Sequence, residues 1–263
     1  MRIGIIGDGA IGRYVRDKAL ERDHVVLALL LRPERLQERT PASNGALCVS
    51  AVSDLPEDID HMIDCAGHTA LRSYGPDILR SGTDLTTVSL GALADTELFR
   101  NLEQAAIDGD SRLHLASGAI GALDCLRSAH VGGLHSVTYI GRKPPLGWKG
   151  SPAETRLDLD NLSGGPATHF DGSARVAATT YPKNANVAAA VALAGIGFDE
   201  TQVQLIADPD ITENIHEVHA KGEFGSFSFE IRGRSLPDNP RSSALAAMSV
   251  VSKLEQESRR IIF

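Results

Sequence analysis

Two sets of residues in this chain have types and spacing suited to chemistry. The first is Gly7-Asp8-Gly9-Ala10-Ile11-Gly12, a GxGxxG run directly after the apolar stretch Arg2 to Ile6. Alone the pattern is weak, but here it follows a predicted strand and opens a predicted helix, the context in which glycines cradle a pyrophosphate. Gly7 permits the tight turn, Gly9 lets backbone approach the phosphates, and Gly12 allows the helix to pack close to the strand. The phosphates then meet the unpaired N–H groups at the helix start. The expected ligand is a nicotinamide dinucleotide, held by Gly7, Gly9, Ala10, Ile11 and Gly12.

Selectivity is set at the end of the second strand, where an acid would accept a bond from the ribose 2′-hydroxyl. The sequence there reads Leu31-Arg32-Pro33-Glu34-Arg35, with no acid at the expected place. Arg32 and Arg35 can pair with a 2′-phosphate or stand as solvated loop charges. Both NAD and NADP therefore remain open.

The second set is the nine histidines, the side chains that titrate near neutral pH. His24, His61 and His114 border predicted strands and read as structural. His216 lies in a strand-like segment, and alternation puts it on the opposite face from His219, so the two cannot share a metal. From its surroundings alone His216 reads first as a satisfied structural histidine. There is no HExxH and no Cys/His cluster, so zinc is not expected and no metal is assigned. Two further segments stand out. Ser117 to Asp124 is rich in small residues, reads as a second helix start, and would let backbone approach a planar ring. Asn186, before an alanine- and valine-rich run, is a helix cap or presents its amide to a ligand.

These residues need a scaffold, and the first half supplies one. Strand-like runs at Arg2 to Ile6, His24 to Leu31, Ala46 to Val52, His61 to Cys65, Leu85 to Leu90 and Leu113 to Ala116 alternate with helical stretches at Ala10 to Arg22, Ala70 to Arg80 and Ala94 to Ile107. Such alternation predicts a doubly wound parallel sheet, the Rossmann arrangement. After residue 133 the pattern changes. His135 to Ile140 reads as a strand, Arg142 to Trp148 as a turn-rich loop and Asn186 to Gly197 as a helix. Gln202 to Ala207, Asn214 to Ala220 and Phe224 to Arg232 read as strands, the last two a hairpin through Gly222-Glu223. Ser242 to Glu257 reads as a closing helix. The expected class is α/β: a Rossmann domain over 1–120, a C-terminal α+β domain with an antiparallel sheet over 121–241 for substrate and catalysis, and a final helix over 242–263 packing back on the first domain.

Bulk properties set limits. The chain has 263 residues, 42% hydrophobic and 23% charged, with a formal charge of −8. That composition is ordinary for a globular protein, and the acidic balance gives no basic field for nucleic acid. Cys48, Cys65 and Cys125 form no CxxC pair or disulfide framework, and buried, inert thiols are expected. No apolar run approaches the roughly 20 residues a membrane span needs. A cytoplasmic protein is expected, binding neither nucleic acid nor membrane, and pairing as a homodimer through its second sheet.

Over nearly its whole length the sequence resembles the L-aspartate dehydrogenase family. The resemblance rests on the glycine loop, Ser117-Gly118-Ala119-Ile120-Gly121, Lys143-Pro144-Pro145, Pro182-Lys183-Asn184-Ala185-Asn186-Val187, Ala207-Asp208-Pro209, Asn214-Ile215-His216 and Asn239-Pro240. It implies oxidation of L-aspartate by NAD or NADP to iminoaspartate, which water converts to oxaloacetate and ammonia. A place in amino-acid metabolism and pyridine-nucleotide biosynthesis follows. It also implies that His216 is catalytic and that Ala119 and Asn186 contact the dinucleotide. His216 would take the amine proton and then activate water at the imine carbon. Lys143, Lys183 and Arg241, expected on loops, are candidates for the substrate carboxylates. The alternatives are a related Rossmann reductase acting on dihydrodipicolinate or homoserine, and a dinucleotide-sensing protein without catalysis.

Overall fold

A strand covered on both faces needs apolar residues throughout, and the opening segments meet that demand. In the computed structural model, which describes residues 1–37, 45–182, 184–236 and 239–261, Ile3, Ile5 and Ile6 of β1 (Arg2–Ile6) are buried. α1 (Ala10–Leu20) follows, then β2 (Val25–Leu30), the short α2 (Pro33–Gln37), β3 (Leu47–Val49), β4 (His61–Asp64), α3 (His68–Arg80), β5 (Asp84–Thr87), α4 (Thr96–Asp108) and β6 (Leu113–Leu115). The six strands run parallel in the order β3-β2-β1-β4-β5-β6. That is the doubly wound Rossmann order, and its switch point lies between β1 and β4, where such sheets bind ligands at the carboxyl ends of the strands.

From Ser117 the chain forms a second compact unit that runs to Leu245. It contains α5 (Leu123–Gly132), β7 (Leu134–Lys143), β8 (Ala167–Ser173), α6 (Ala174–Thr180), α7 (Asn186–Ala194), β9 (Gln202–Ala207), β10 (Asn214–Gly222), β11 (Gly225–Gly233), β12 (Ser235–Leu236) and β13 (Asn239–Ser243). The main sheet has the order β11-β10-β7-β9-β8. β10 pairs antiparallel with β11 and β7, and β8 with β9, while β7 and β9 are parallel. The sheet is thus mixed, because a long crossover joins β7 to β9. α7 is almost wholly buried, which suits its alanines and valines.

Several sequence expectations shift. β7 runs on to Lys143 rather than ending at Ile140, because Arg142 and Lys143 pair with Ile206 and Ala207 of β9. Pro144, which lacks an N–H for the ladder, stands just beyond its end. Arg241 lies in β13, not on a loop. β8 and α6 are additions that weak periodicity concealed. The Ser117 to Asp124 segment is a turn with Gly118 at φ +71° and Ala122 at φ 59°, and α5 begins only at Leu123. Asn186 is the first residue of α7, with Ala185 at the cap position, so it is not the helix cap.

The last helix, α8 (Ala244–Ser258), carries Val250, Val251 and Leu254 into the core formed by Ile3, Ile5, Val15, Leu29 and Ile63. Two histidines of the first unit also meet it. His24 Nε2 lies 2.8 Å from Glu255 and His114 Nδ1 3.1 Å from Glu257. Residues 246–263 accordingly group with residues 1–116. Cys48 and Cys65 are half-buried and Cys125 is exposed. Among the described residues no helix is long and apolar enough to cross a membrane.

Candidate active site

The glycine loop is built as its spacing requires. Gly7 has φ +89°, a conformation that costs side-chain-bearing residues dearly. Its N–H donates to the Leu30 carbonyl at 3.0 Å, tying the loop to the end of β2. A Cβ on Gly12 would stand 2.3 Å from the Gly7 oxygen, so only glycine lets α1 approach. At Gly9 a Cβ would meet nothing within 4 Å, so the backbone there borders open space. Gly9 is the N-cap of α1 and supplies no side-chain cap. The first N–H groups of the helix therefore face outward for an anion.

This loop borders a cavity of about 400 Å³ whose other walls include Arg13, Arg32, Arg35, Ala66 and Ser73. Three arginines around one cavity suit a polyanion, and no carboxylate closes β2. Ala10 and Ile11 lie on the first turn of α1. The Ile11 side chain packs toward the core, so its backbone is the part available to a ligand. The Cys65-Ala66 wall is held by Asp64, a fully buried carboxylate that accepts from Thr87 Oγ1 at 2.8 Å, Ser89 Oγ at 2.7 Å and the Ala66 N–H at 2.9 Å. Burial raises the Asp64 pKa and these bonds oppose the rise. Burial and the neighbouring Asp64 charge push the Cys65 thiol well up, which keeps it unreactive.

In the second unit, strand register assembles a different cluster. His216 of β10 faces Gly141 of β7, and Val218 faces Tyr139. All four share one face of the sheet. Tyr139 reaches past the bare Cα of Gly141, and its hydroxyl lies 2.8 Å from His216 Nδ1. A Cβ on Gly141 would come within 2.6 Å of that hydroxyl. The missing side chain is what lets the phenol meet the imidazole. Burial pushes the Tyr139 ionisation far above the ordinary range, so the phenol stays protonated.

Lys143, two residues beyond Gly141, ends β7 and is 8% exposed. Its ammonium donates to Asn184 Oδ1 at 3.0 Å and sits 5.0 Å from the centre of the Trp148 ring. Trp148 is fully buried and donates from Nε1 to the Ile206 carbonyl at 2.9 Å. Among the described residues no carboxylate pairs with Lys143, and burial lowers its pKa to about 8. Its neighbour Arg142, by contrast, meets Asp208 at 3.3 Å and Glu217 at 3.5 Å. Burial and the Lys143 charge take His216 down to about 3. At neutral pH the cluster thus holds a neutral imidazole beside an ammonium that lacks an anion. Such a site accepts a carboxylate and can take up a proton.

Of the residues singled out in the sequence, Gly7, Gly9 and Arg32 line one cavity, and His216 and Lys143 share one electrostatic neighbourhood. Lys143 is a buried strand residue rather than the loop residue expected, because β9 extends the ladder to it. Ala119 is buried in the turn after β6 and Asn186 opens α7. Lys183 and the side chain of Arg241 lie outside the described residues. Small size at Gly121 has a packing reason, since a Cβ there would stand 2.8 Å from the Phe229 ring. Sequence reading missed Tyr139, Gly141, Asn184 and Asp64. Tyr139, Gly141 and Asp64 owe their contacts to cross-strand register, whereas Asn184 lies in the turn before α7 and left a local sign by its place in the Pro182 to Val187 segment.

Comparison with known proteins places both halves. The family described as homoserine dehydrogenase, NAD binding domain, matches residues 3–116, and that described as aspartate dehydrogenase, C-terminal, matches residues 124–257. The L-aspartate dehydrogenase of Ruegeria pomeroyi is 51% identical over 99% of this chain and 94% of its own length. That of a Polaromonas species is 44% identical over 100% and 99%. The crystal structure of aspartate dehydrogenase from Thermotoga maritima superposes with a TM-score of 0.77 at 26% identity, covering 100% of this chain and 99% of that one.

Proposed function

The chain belongs to the L-aspartate dehydrogenase family, and from that premise we propose how its own residues oxidise L-aspartate to iminoaspartate, released after hydrolysis as oxaloacetate and ammonia. The cofactor is a nicotinamide dinucleotide, which when bound accepts the hydride from the substrate α-carbon. The glycine loop fits it: Gly9 leaves room, Gly12 permits the close approach, and the start of α1 offers its N–H groups.

The observation that carries the substrate reading is the buried Lys143 ammonium, without a carboxylate partner among the described residues, set beside the neutral His216 imidazole. Lys143 holds one carboxylate of the dicarboxylic substrate, and Asn184 fixes the ammonium. An arriving carboxylate offsets the positive charge that lowers the His216 pKa, so binding strengthens the base where it is needed. His216 takes the proton from the substrate amine at Nε2, which requires the ring proton on Nδ1. The Tyr139 oxygen accepts that Nδ1–H and holds the ring in place. Nδ1 carries its proton in both the imidazole and the imidazolium, so the phenol oxygen accepts from it throughout the step. Once that proton has passed to solvent, the same histidine removes a proton from the water that attacks the imine carbon.

Arg32 and Arg35, on the cavity wall where an acid is absent, favour use of NADP alongside NAD. In the cell iminoaspartate formation would feed pyridine-nucleotide synthesis. A homodimer would form by pairing along the exposed edge strand β11. The testing experiment measures aspartate-dependent NADH and NADPH formation, with oxaloacetate plus ammonia in reverse. No turnover in either direction with either cofactor refutes the assignment. His216→Ala should lose at least a hundredfold in turnover, about 3 kcal/mol of barrier, while binding dinucleotide as before. Near-normal turnover in that variant refutes its role.

A further inference from the structure

Away from the dinucleotide cavity, the first unit gathers ionisable side chains that the dehydrogenase chemistry does not use. His61 and Asp84 are the first residues of β4 and β5 and are register partners. His114 of β6 is the register partner of Thr86, two residues on from Asp84. Residues paired in register share a face, as do residues two apart on a strand. His61, Asp84, Thr86 and His114 therefore project from the same face of the sheet. Glu257 of α8 meets them there. His114 Nε2 lies 3.0 Å from Asp84 Oδ2, and its Nδ1 lies 3.1 Å from Glu257 Oε1. One potential ligand atom from each of His61, Asp84 and His114 lies within 4.8 Å of the others.

We propose that His61, Asp84 and His114 form a site for one divalent cation of the zinc class, and that Glu257, at the end of α8, holds the His114 ring in place for it. Two imidazoles and one carboxylate are a donor set that such ions take in tetrahedral geometry with water in the fourth position, at metal–ligand distances of about 2.0–2.2 Å. Donors around such an ion stand about 3.3 Å apart, so the present spacing closes with side-chain rotations on the order of 1 Å. The ion would lie between His114 Nε2 and Asp84 Oδ2, while Glu257 at Nδ1 is the outer carboxylate that orients a ligand imidazole.

The supporting features are those a metal site needs. His61 is 1% exposed, so an ion bound to it is shielded from water on that side. His61 Nε2 is engaged by the buried Thr86 hydroxyl at 2.7 Å. That bond is of the kind that orients a ligand imidazole, with Nδ1 left for the ion. The carboxylates form the rim, with side chains 33% exposed at Asp84 and 22% at Glu257, so an ion has a path inward. Lys253, whose ammonium stands 2.8 Å from Glu257, is the nearby positive charge that opposes a cation. The cluster lies at the amino ends of β4 and β5, whereas the glycine loop lies at the carboxyl end of β1. The ion would therefore hold structure and take no part in hydride transfer.

The test uses the full-length enzyme without a histidine tag, freed of metal by chelator. Zn2+ is titrated by calorimetry and Co2+ by visible absorption. The expected result is one Zn2+ per chain, a Co2+ spectrum of tetrahedral intensity, and a rise of several degrees in the unfolding midpoint. Asp84→Asn and His114→Gln should weaken uptake at least tenfold, with dinucleotide binding as the check on folding. Lys253→Ala keeps all three donors and removes a nearby positive charge, so it should bind Zn2+ at least threefold more tightly. Absence of saturable uptake overturns the proposal. So does uptake undiminished in both ligand variants, or affinity unchanged by Lys253→Ala.

Discussion

Replacing Lys143 by methionine should stabilise the fold while damaging the binding site. The side chain is buried beside Trp148, and burial lowers its pKa from 10.5 to about 8. That drop corresponds to roughly 3 kcal/mol of cost for holding the charge in the folded chain. Methionine fills similar volume without charge, but it leaves Asn184 Oδ1 without its bond at 3.0 Å. Losing that bond subtracts about 1–2 kcal/mol. The net expectation at pH 7 is a variant more stable by about 1–2 kcal/mol. The pH dependence has a definite sign. Below pH 8 the lysine is charged in both states and the full cost applies. Between 8 and 10.5 the unfolded chain binds more protons, so wild-type stability rises with pH, and above 10.5 the cost is gone. The variant's advantage should therefore vanish by about pH 10.5. Urea unfolding of both proteins at pH 7 and 10.5 measures the two gaps. Succinate, an unreactive dicarboxylate, reports on the site: its inhibition constant should rise at least tenfold, the loss of about 1.4 kcal/mol from one charged contact. A variant that is less stable at pH 7 and still binds succinate normally refutes this account of Lys143.

Other consequences follow from the same geometry. In the wild type, succinate inhibition should weaken as pH rises through about 8, because Lys143 loses its proton there, and the Lys143→Met variant should lack that dependence. Tyr139→Phe removes the 2.8 Å partner of His216 Nδ1 and should lower kcat by about 10–100-fold, or about 1–3 kcal/mol. Steady-state kinetics should show the aspartate KM changed by less than about threefold. Gly141→Ala forces a Cβ to within 2.6 Å of the Tyr139 hydroxyl; it should reproduce that kcat loss and cost about 1–3 kcal/mol by denaturant unfolding. Arg32→Glu puts an acid at the end of β2, and the ratio of NADP to NAD kcat/KM should fall at least tenfold.

Local pattern alone determined much of this protein. The alternation of apolar runs and helical stretches dictated a doubly wound sheet, because a strand covered on both faces has no alternative composition. The glycine loop was legible for a similar reason. Gly7 and Gly12 answer steric demands within a few residues of themselves, and such demands are written in adjacent positions. His216 was visible as a histidine in a strand, and its role came only from resemblance to relatives. What tertiary structure decided is everything that depends on register. Tyr139 reaches His216 because Gly141 stands opposite it, across 75 residues of chain. Lys143 looked like a loop cation until β9 extended the ladder beneath it, and burial then made it a group with its own chemistry. His61, Asp84 and His114 carry no metal-ligand spacing in sequence, yet neighbouring parallel strands set them on one face. A local pattern fixes which face a side chain takes on its own strand, but which distant side chain lies beside it is set only when the strands pair.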